Sequence, residues 1–164
     1  MLIGILSDSH GKFRRVRSAL RIFEREQVQL IVHCGDVGGV EVFDEVVGLP
    51  FRFVWGNTDY YDQRMLSYLA TVGITAPESI PMVLLAEDKK IAVFHGHEDS
   101  FVRTLRSTPY DYVFHGHTHV ARDERVGSCR VINPGALTRT DRRTVAVLDT
   151  QSDRLTFHEV FRED

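Results

Sequence analysis

Five short polar clusters hold most of the chemistry that this chain could perform. They are Asp8-Ser9-His10-Gly11, Gly35-Asp36, Gly56-Asn57, His95-Gly96-His97 and Gly116-His117-Thr118-His119. Aspartate, asparagine and histidine offer hard oxygen and borderline nitrogen donors, which suit manganese, zinc, iron, nickel or cobalt better than calcium. The cysteines, Cys34 and Cys129, form no closely spaced pair that would build a structural zinc site. Seven such donor groups are too many for one ion that must keep an open position. They are the right number for two ions sharing a bridging carboxylate. Two ions about 3.5–4 Å apart form the clamp of hydrolytic phosphate chemistry. A bridging water is deprotonated to the nucleophile, and the metals neutralise charge that builds on the phosphoryl oxygens.

The elements that must position these groups follow from hydropathy. Each cluster ends an apolar run that reads as a buried strand: Leu2 to Leu6, Leu30 to His33, Phe51 to Trp55, Lys90 to Phe94 and Tyr112 to Phe114. In open α/β sheets the ligand site lies beyond the carboxyl ends of the strands, so the five ends should converge on one edge. Glycine in each cluster permits sharp turns and close backbone approach. Phe13, Val16, Leu20 and Phe23 recur at helical spacing, and Val42, Phe43, Val46 and Val47 mark a short helix. Further helices are expected from Gln63 to Thr71 and Phe101 to Ser107, with a hairpin arm at Met82 to Ala86. From Ala121 the pattern is all strand: Ala121 to Val126, Cys129 to Ile132, Thr144 to Leu148 and Leu155 to Val160.

Composition bounds the rest. A chain of 164 residues, 43% hydrophobic and 26% charged, suits a single domain spanning 1–164. The apolar content and the net charge of −3 exclude disorder as the main state. A pI near 6.2 gives no basic footprint for nucleic acid, leaving a nucleotide only as a substrate. No run approaches the roughly 18 apolar residues of a membrane span, and the apolar Met1 to Leu6 is too short for a signal core. Two cysteines without a disulfide framework point to a reducing cytoplasm. The sequence leaves self-association open.

Taken singly, each residue has a structural reading. Asp8 or Asp36 could cap a helix, Asn57 could be a turn residue, and His33 and His158 read as core or edge histidines. Asn133-Pro134-Gly135 is a turn in any protein. Capping and turns do not account for seven ligand-type residues at five strand ends.

The order Asp8-x-His10, Gly35-Asp36, Gly56-Asn57-x-Asp59, His95-Gly96-His97 and Gly116-His117-Thr118-His119 resembles the calcineurin-like metallophosphoesterase superfamily. The closest likeness is to its small bacterial and archaeal phosphodiesterase branch, which includes the phosphoesterase-like subunit of retromer. The resemblance covers Leu2 to about Asp149. It implies that Asp8, His10 and His119 hold a first metal, that Asn57, His95 and His117 hold a second, and that Asp36 bridges both. It implies catalytic roles for Asp36, Asn57, Asp59 and His95. His97 and His115 fall outside the implied ligand set. Larger relatives have a histidine general acid after the Gly-Asn pair, and the small branch usually has cysteine; here the residue is Thr58. The Asn-Pro-Gly-Ser turn of the family appears as Asn133-Pro134-Gly135-Ala136, and its usual following Pro-Arg pair is absent, with Arg139, Arg142 and Arg143 nearby but out of register.

These readings lead to an α/β fold: a two-sheet αββα metallophosphoesterase sandwich with mixed strands, an antiparallel second half and an open cleft. The expected function is that of a metal-dependent phosphoesterase, foremost a phosphodiesterase, acting on a small phosphoester with two divalent ions, manganese first among them. The competing reading is a binding scaffold like the retromer subunit. Scaffold relatives have replaced some ligand positions, whereas here Asp36 and all four ligand histidines are present.

Overall fold

Strand β1 (Leu2–Leu6) sets the layering. Its side chains alternate, so Ile3 and Ile5 enter one apolar cluster while Leu6 enters another, and both faces are buried. A strand covered on both sides must lie inside a sheet that is itself covered on both sides. The computed structural model, which describes residues 1–107 and 109–161, shows two such sheets. Thr108 and the last three residues of the expected domain lie outside the described residues.

In the first sheet β1 pairs in parallel with β2 (Leu30–His33), and β2 in parallel with β3 (Phe51–Phe53). On its other side β1 pairs antiparallel with β9 (Thr144–Asp149), which carries the edge strand β10 (Arg154–Glu159). In the second sheet β5 (Lys89–Val93), β6 (Tyr112–Phe114) and β8 (Cys129–Asn133) run parallel. Its antiparallel edges are β4 (Met82–Ala86) and β7 (Arg122–Val126).

Three apolar clusters fill the spaces between layers. Ile3, Ile5, Val32, Val93, Phe114 and Leu148 lie between the sheets. The outer face of the first sheet is covered by α1 (Phe13–Arg25), α2 (Val40–Asp44) and α3 (Gln63–Thr71) through Val16, Phe23, Phe43 and Leu69. Phe101 of α4 (Asp99–Ser107) packs with Phe94 and Val131 on the second sheet. The layers are therefore α, β, β, α. Helix α1 follows from spacing: Val16, Ala19 and Phe23 fall on one buried stripe, with Arg14, Arg17 and Arg21 between them.

The expected antiparallel second half is corrected. The chain is all strand from β7 onward, but β8 pairs parallel to β6, while β9 and β10 return to the first sheet. The cause is the double-sided burial of β9. Val145 and Val147 enter the helix-side cluster, and Ala146 and Leu148 the inter-sheet cluster. Such a strand needs neighbours on both edges, and it finds them in β1 and β10.

Candidate metal centre

Every sequence-predicted ligand stands where a parallel strand runs out. Asp8 and His10 follow β1, Asp36 follows β2, Asn57 follows β3, His95 follows β5, and His117 and His119 follow β6. Backbone bonds lock neighbouring loops together. Asp8 N–H donates to Gly35 O at 3.1 Å, His10 N–H to Asp36 O at 2.9 Å and Gly116 N–H to His95 O at 2.8 Å. Bonds at the site also join the sheets: His95 Nδ1 donates to the Cys34 carbonyl at 2.8 Å, and His117 N–H donates to Asp8 Oδ2 at 3.2 Å.

The backbone at the site is strained. Asp8, His10, Asp36, His117 and His119 have φ of 55°, 43°, 52°, 67° and 59°. This left-handed region costs a non-glycine residue about 1 kcal/mol or more, and such strain gathers at functional sites. Close approach is equally constrained. A Cβ on Gly56 would stand 2.1 Å from Asp36 Oδ1, and one on Gly116 would stand 1.9 Å from Ser7 Oγ. Glycine is required there because the ligand loops pack through the space that a side chain would fill.

The donor atoms face one another without protons to share. His95 Nδ1–H is committed to Cys34, so Nε2 carries a lone pair. That lone pair meets Asn57 Oδ1 at 3.0 Å and Asp36 Oδ2 at 3.5 Å. His119 repeats the pattern: Nδ1 faces the Arg139 carbonyl at 3.4 Å, and Nε2 lies 3.1 Å from Asp8 Oδ1. Asp8 Oδ1 and His10 Nε2 are buried and have no hydrogen-bond partner. Such orphaned acceptors are costly unless a cation satisfies them. Two groups of three have donor atoms mutually within 4.8 Å: Asp8, His10 and His119, and Asp8, Asp36 and His95. Asp36 Oδ2 lies 3.5 Å from both His10 Nε2 and His95 Nε2. The residues present therefore fit divalent ions. Carbonyls behind His95 and His119 fix their tautomers, as backing partners do for metal-ligating histidines.

The remaining predicted residues sit around this cluster. The His117 ring centroid is 5.1 Å from that of His95, outside both groups of three. His97 is 5.4 Å from His95 by centroid, with Nδ1 3.9 Å from Glu98 Oε2. Asp59, expected to act in catalysis, uses its carboxylate otherwise. Oδ2 accepts from Val37 N–H and Gly56 N–H, and Oδ1 from Gly38 N–H, at 3.1, 2.8 and 2.9 Å. It staples the Asn57 loop to the Asp36 loop. Thr58 donates its N–H to Asp36 Oδ1 at 2.9 Å.

Electrostatics follow from burial and these bonds. Burial lowers the His10 pKa, and the nearby Arg139 cation adds to the effect, against the pull of Asp36. Burial alone would raise Asp36, but the Thr58 N–H, His95, the Thr58 hydroxyl and His10 outweigh it and hold the carboxylate ionised. Burial raises Asp59, with Asp36 adding to it, despite the three N–H donors.

Three supporting roles escaped the sequence reading. Glu98 accepts His95 N–H at 2.8 Å and Gly96 N–H at 2.7 Å, fixing the turn that carries His95. Asn133 Nδ2 donates to Gly116 O at 2.9 Å and Thr118 Oγ1 at 3.0 Å, behind His117 and His119. His33 Nε2 lies 2.8 Å from Ser9 Oγ, which itself donates to Val37 O at 2.8 Å. Glu98 carried a weak signal, an acid directly after the His-Gly-His cluster. Asn133 was legible as the family's turn and His33 as a core or edge histidine, but their partners, distant in sequence, were not.

Known proteins resemble this chain in sequence and fold. The model of the calcineurin-like phosphoesterase superfamily domain matches residues 1–153. Phosphodiesterase MJ0936 of Methanocaldococcus jannaschii is 32% identical over 156 residues, covering 92% of this chain and 94% of the relative. The solved structure of an archaeal phosphodiesterase superposes with a TM-score of 0.87 at 30% identity, covering 98% of this chain and all of the other. Zinc-complexed Vps29 of Entamoeba histolytica, at 20% identity, shares the fold with a TM-score of 0.67, covering 97% and 91% of the two chains. The family match runs through every strand end that carries a candidate ligand, and the chain belongs to the calcineurin-like phosphoesterase superfamily.

Proposed function

We propose that the protein is a metal-dependent phosphodiesterase. Asp8, His10 and His119 would hold one divalent ion, and Asn57, His95 and His117 a second. The observation that carries this reading is Asp36 Oδ2, 3.5 Å from His10 Nε2 on one side and from His95 Nε2 on the other. A carboxylate oxygen between two histidine lone pairs is where a bridge belongs. When bound, two divalent ions, manganese foremost, would supply a water activated near neutral pH and positive charge for the phosphoryl oxygens.

The chain's own residues prepare that chemistry. Asp36 stays ionised because the Thr58 N–H favours its charged form. Cys34 and Arg139 carbonyls orient His95 and His119. Asp59 holds Asn57 in place through three backbone N–H groups, which makes it a positioning residue. Lys12 and Arg14 line a groove that begins at Gly11, beside His10, and offer cations to an anionic ester. Asn57, Thr58 and His117 are exposed, so the site is open to small diesters and accessible ester ends. Two buried free cysteines suit a reducing cytoplasm. The intact donor set favours this reading over that of a scaffold.

The test is metal content by mass spectrometry after purification without added metal, then hydrolysis of phosphodiesters and monoesters with manganese. About two ions per chain and turnover abolished by chelation are expected, with aryl diesters favoured. Stoichiometric metal without hydrolysis of any ester would overturn the catalytic reading.

A further inference from the structure

We propose that Tyr60 is a stacking platform for the base of a nucleotide-type phosphodiester bound at the metal centre. This rests on the phosphodiesterase reading and names its substrate class.

A single exposed apolar side chain needs no explanation in general. Tyr60 differs because everything around it is fixed. The residue is 80% exposed, and no ring among the described residues is seen to stack on it. The residue before it, Asp59, is held by three backbone N–H groups, and Asp59 N–H donates to Gly56 O at 3.3 Å, closing a turn. The residue after it, Tyr61, stacks on Trp55 with centroids 4.4 Å apart and planes 12° from parallel. Trp55 in turn packs edge-on against Phe53 at 4.7 Å, within the core. Asp62 then caps α3, accepting from Arg64 and Met65 N–H at 3.0 Å each. The backbone of Tyr60 is thus held from both sides, while its ring is left in water. An aromatic ring on a fixed backbone loses little further entropy when a flat ligand stacks on it.

Its position selects the ligand. Tyr60 is three residues from Asn57, so their Cα atoms are at most about 11 Å apart, and the turn at Gly56 shortens this. That span matches the reach from the phosphorus to the base of a mononucleotide. Thr58 N–H bonded to Asp36 Oδ1 ties the same loop to the proposed bridge. A phosphoryl group at the metals would therefore leave an attached nucleoside within reach of Tyr60. Every base has a π-face, so stacking sets the substrate class without reading sequence.

The test uses calorimetric titration of the manganese-loaded full chain with adenosine 5′-monophosphate and with methyl phosphate, which share a phosphoryl group but differ in the ring. The parent protein should bind the nucleotide at least about fivefold more tightly than methyl phosphate. Tyr60→Ala should remove that preference, with methyl phosphate affinity held within twofold and metal content unchanged, and Tyr60→Phe should retain it. Because the ring is exposed, Tyr60→Ala should melt within a few degrees of the parent. Equal affinities in the parent, or an unaltered preference in Tyr60→Ala, would overturn the platform while leaving the metal-site reading standing. Binding of neither ligand by metal-loaded protein would overturn both.

Discussion

At the scale of single residues, the site makes Asp36 the most sensitive position. Its Oδ2 faces both His10 and His95, so Asp36→Asn removes charge from both halves of the centre at once. The rate should fall by about a hundredfold or more, equivalent to about 2.7 kcal/mol of barrier, with bound metal lost in parallel. His97→Ala should cost far less, because His97 falls outside the ligand set proposed above and its Nδ1 faces Glu98 Oε2 at 3.9 Å. Equal damage from the two variants would show that His97 is a ligand. Thr58 leads to a second expectation. Its hydroxyl is 3.3 Å from His10 Nδ1 but is far too weak an acid to protonate a leaving group near neutral pH. Asp59 is expected to contribute little here, since three N–H groups already bind its oxygens. Rates on a series of phosphodiesters should therefore rise steeply as the leaving-group pKa falls, and Thr58→His should flatten that slope. A flat slope in the parent would mean that another acid already serves.

At the scale of elements, Arg130 on β8 joins the two sheets at the edge away from the metal centre. Its Nε and Nη2 donate to the two carboxylate oxygens of Asp123 on β7, each at 2.8 Å. Nη1 donates to Asp153 Oδ1 in the β9–β10 turn, also at 2.8 Å. Tyr112 on β6 donates its hydroxyl to the same Asp153 oxygen at 2.9 Å, and Arg125 pairs with the other. Arg130→Met should cost about 1–3 kcal/mol in urea unfolding at neutral pH. Acid should erode this difference. Arg130 holds Asp123 below its ordinary pKa. Burial would raise Asp153, but Arg130 and Tyr112 outweigh it and lower that group too. A lowered folded-state value stabilises fully above the unfolded value of about 3.9 and is lost as pH falls through the folded one. The gap between parent and variant should thus be full at pH 7 and shrink below about pH 4. A gap independent of pH would show that packing of the arginine stem, rather than its charge, holds the sheets.

At the scale of the whole molecule, three apolar clusters drawn mainly from strands and helices hold the layers, with Cys34, Val37 and Trp55 anchoring the ligand loops to them. The chelated protein should therefore melt cooperatively, with bound metal raising the midpoint by mass action. Loss of cooperative melting on chelation would make metal a folding element. The same metal-free protein should be weakened by mild acid through His33. Burial drives its pKa down to about 3 in the fold, with the neighbouring His95 adding to the effect. The unfolded value is about 6.5, so between the two the unfolded chain binds one more proton. Stability is full above about pH 6.5 and falls as pH drops toward 3, by at most about 1.4 kcal/mol per pH unit from this group. Urea unfolding of the chelated protein at pH 7, 6 and 5 should show the decline, and His33→Gln should make it shallower. An identical slope in the variant would assign the acid sensitivity elsewhere.

Sequence alone determined the strands, the ligand types and their order. Those signals are local: an apolar run such as Leu2 to Leu6 must be buried, and Asp8, His10 and Gly11 follow it in register. Family resemblance supplied the choice of His95 rather than His97 as a candidate ligand. Tertiary structure decided what depends on residues far apart along the chain. Only the packing of two sheets brings Cys34 O against His95 Nδ1 and Asp8 Oδ2 against His117 N–H. Only the loop geometry shows Asp59 stapling two loops, because its three donors come from segments about twenty residues away as well as from its own turn. The placement of β9 between β1 and β10 had the same origin. Hydropathy shows that a strand is buried on both faces, but which edges it joins is a matter of long-range pairing and packing, which no local pattern encodes.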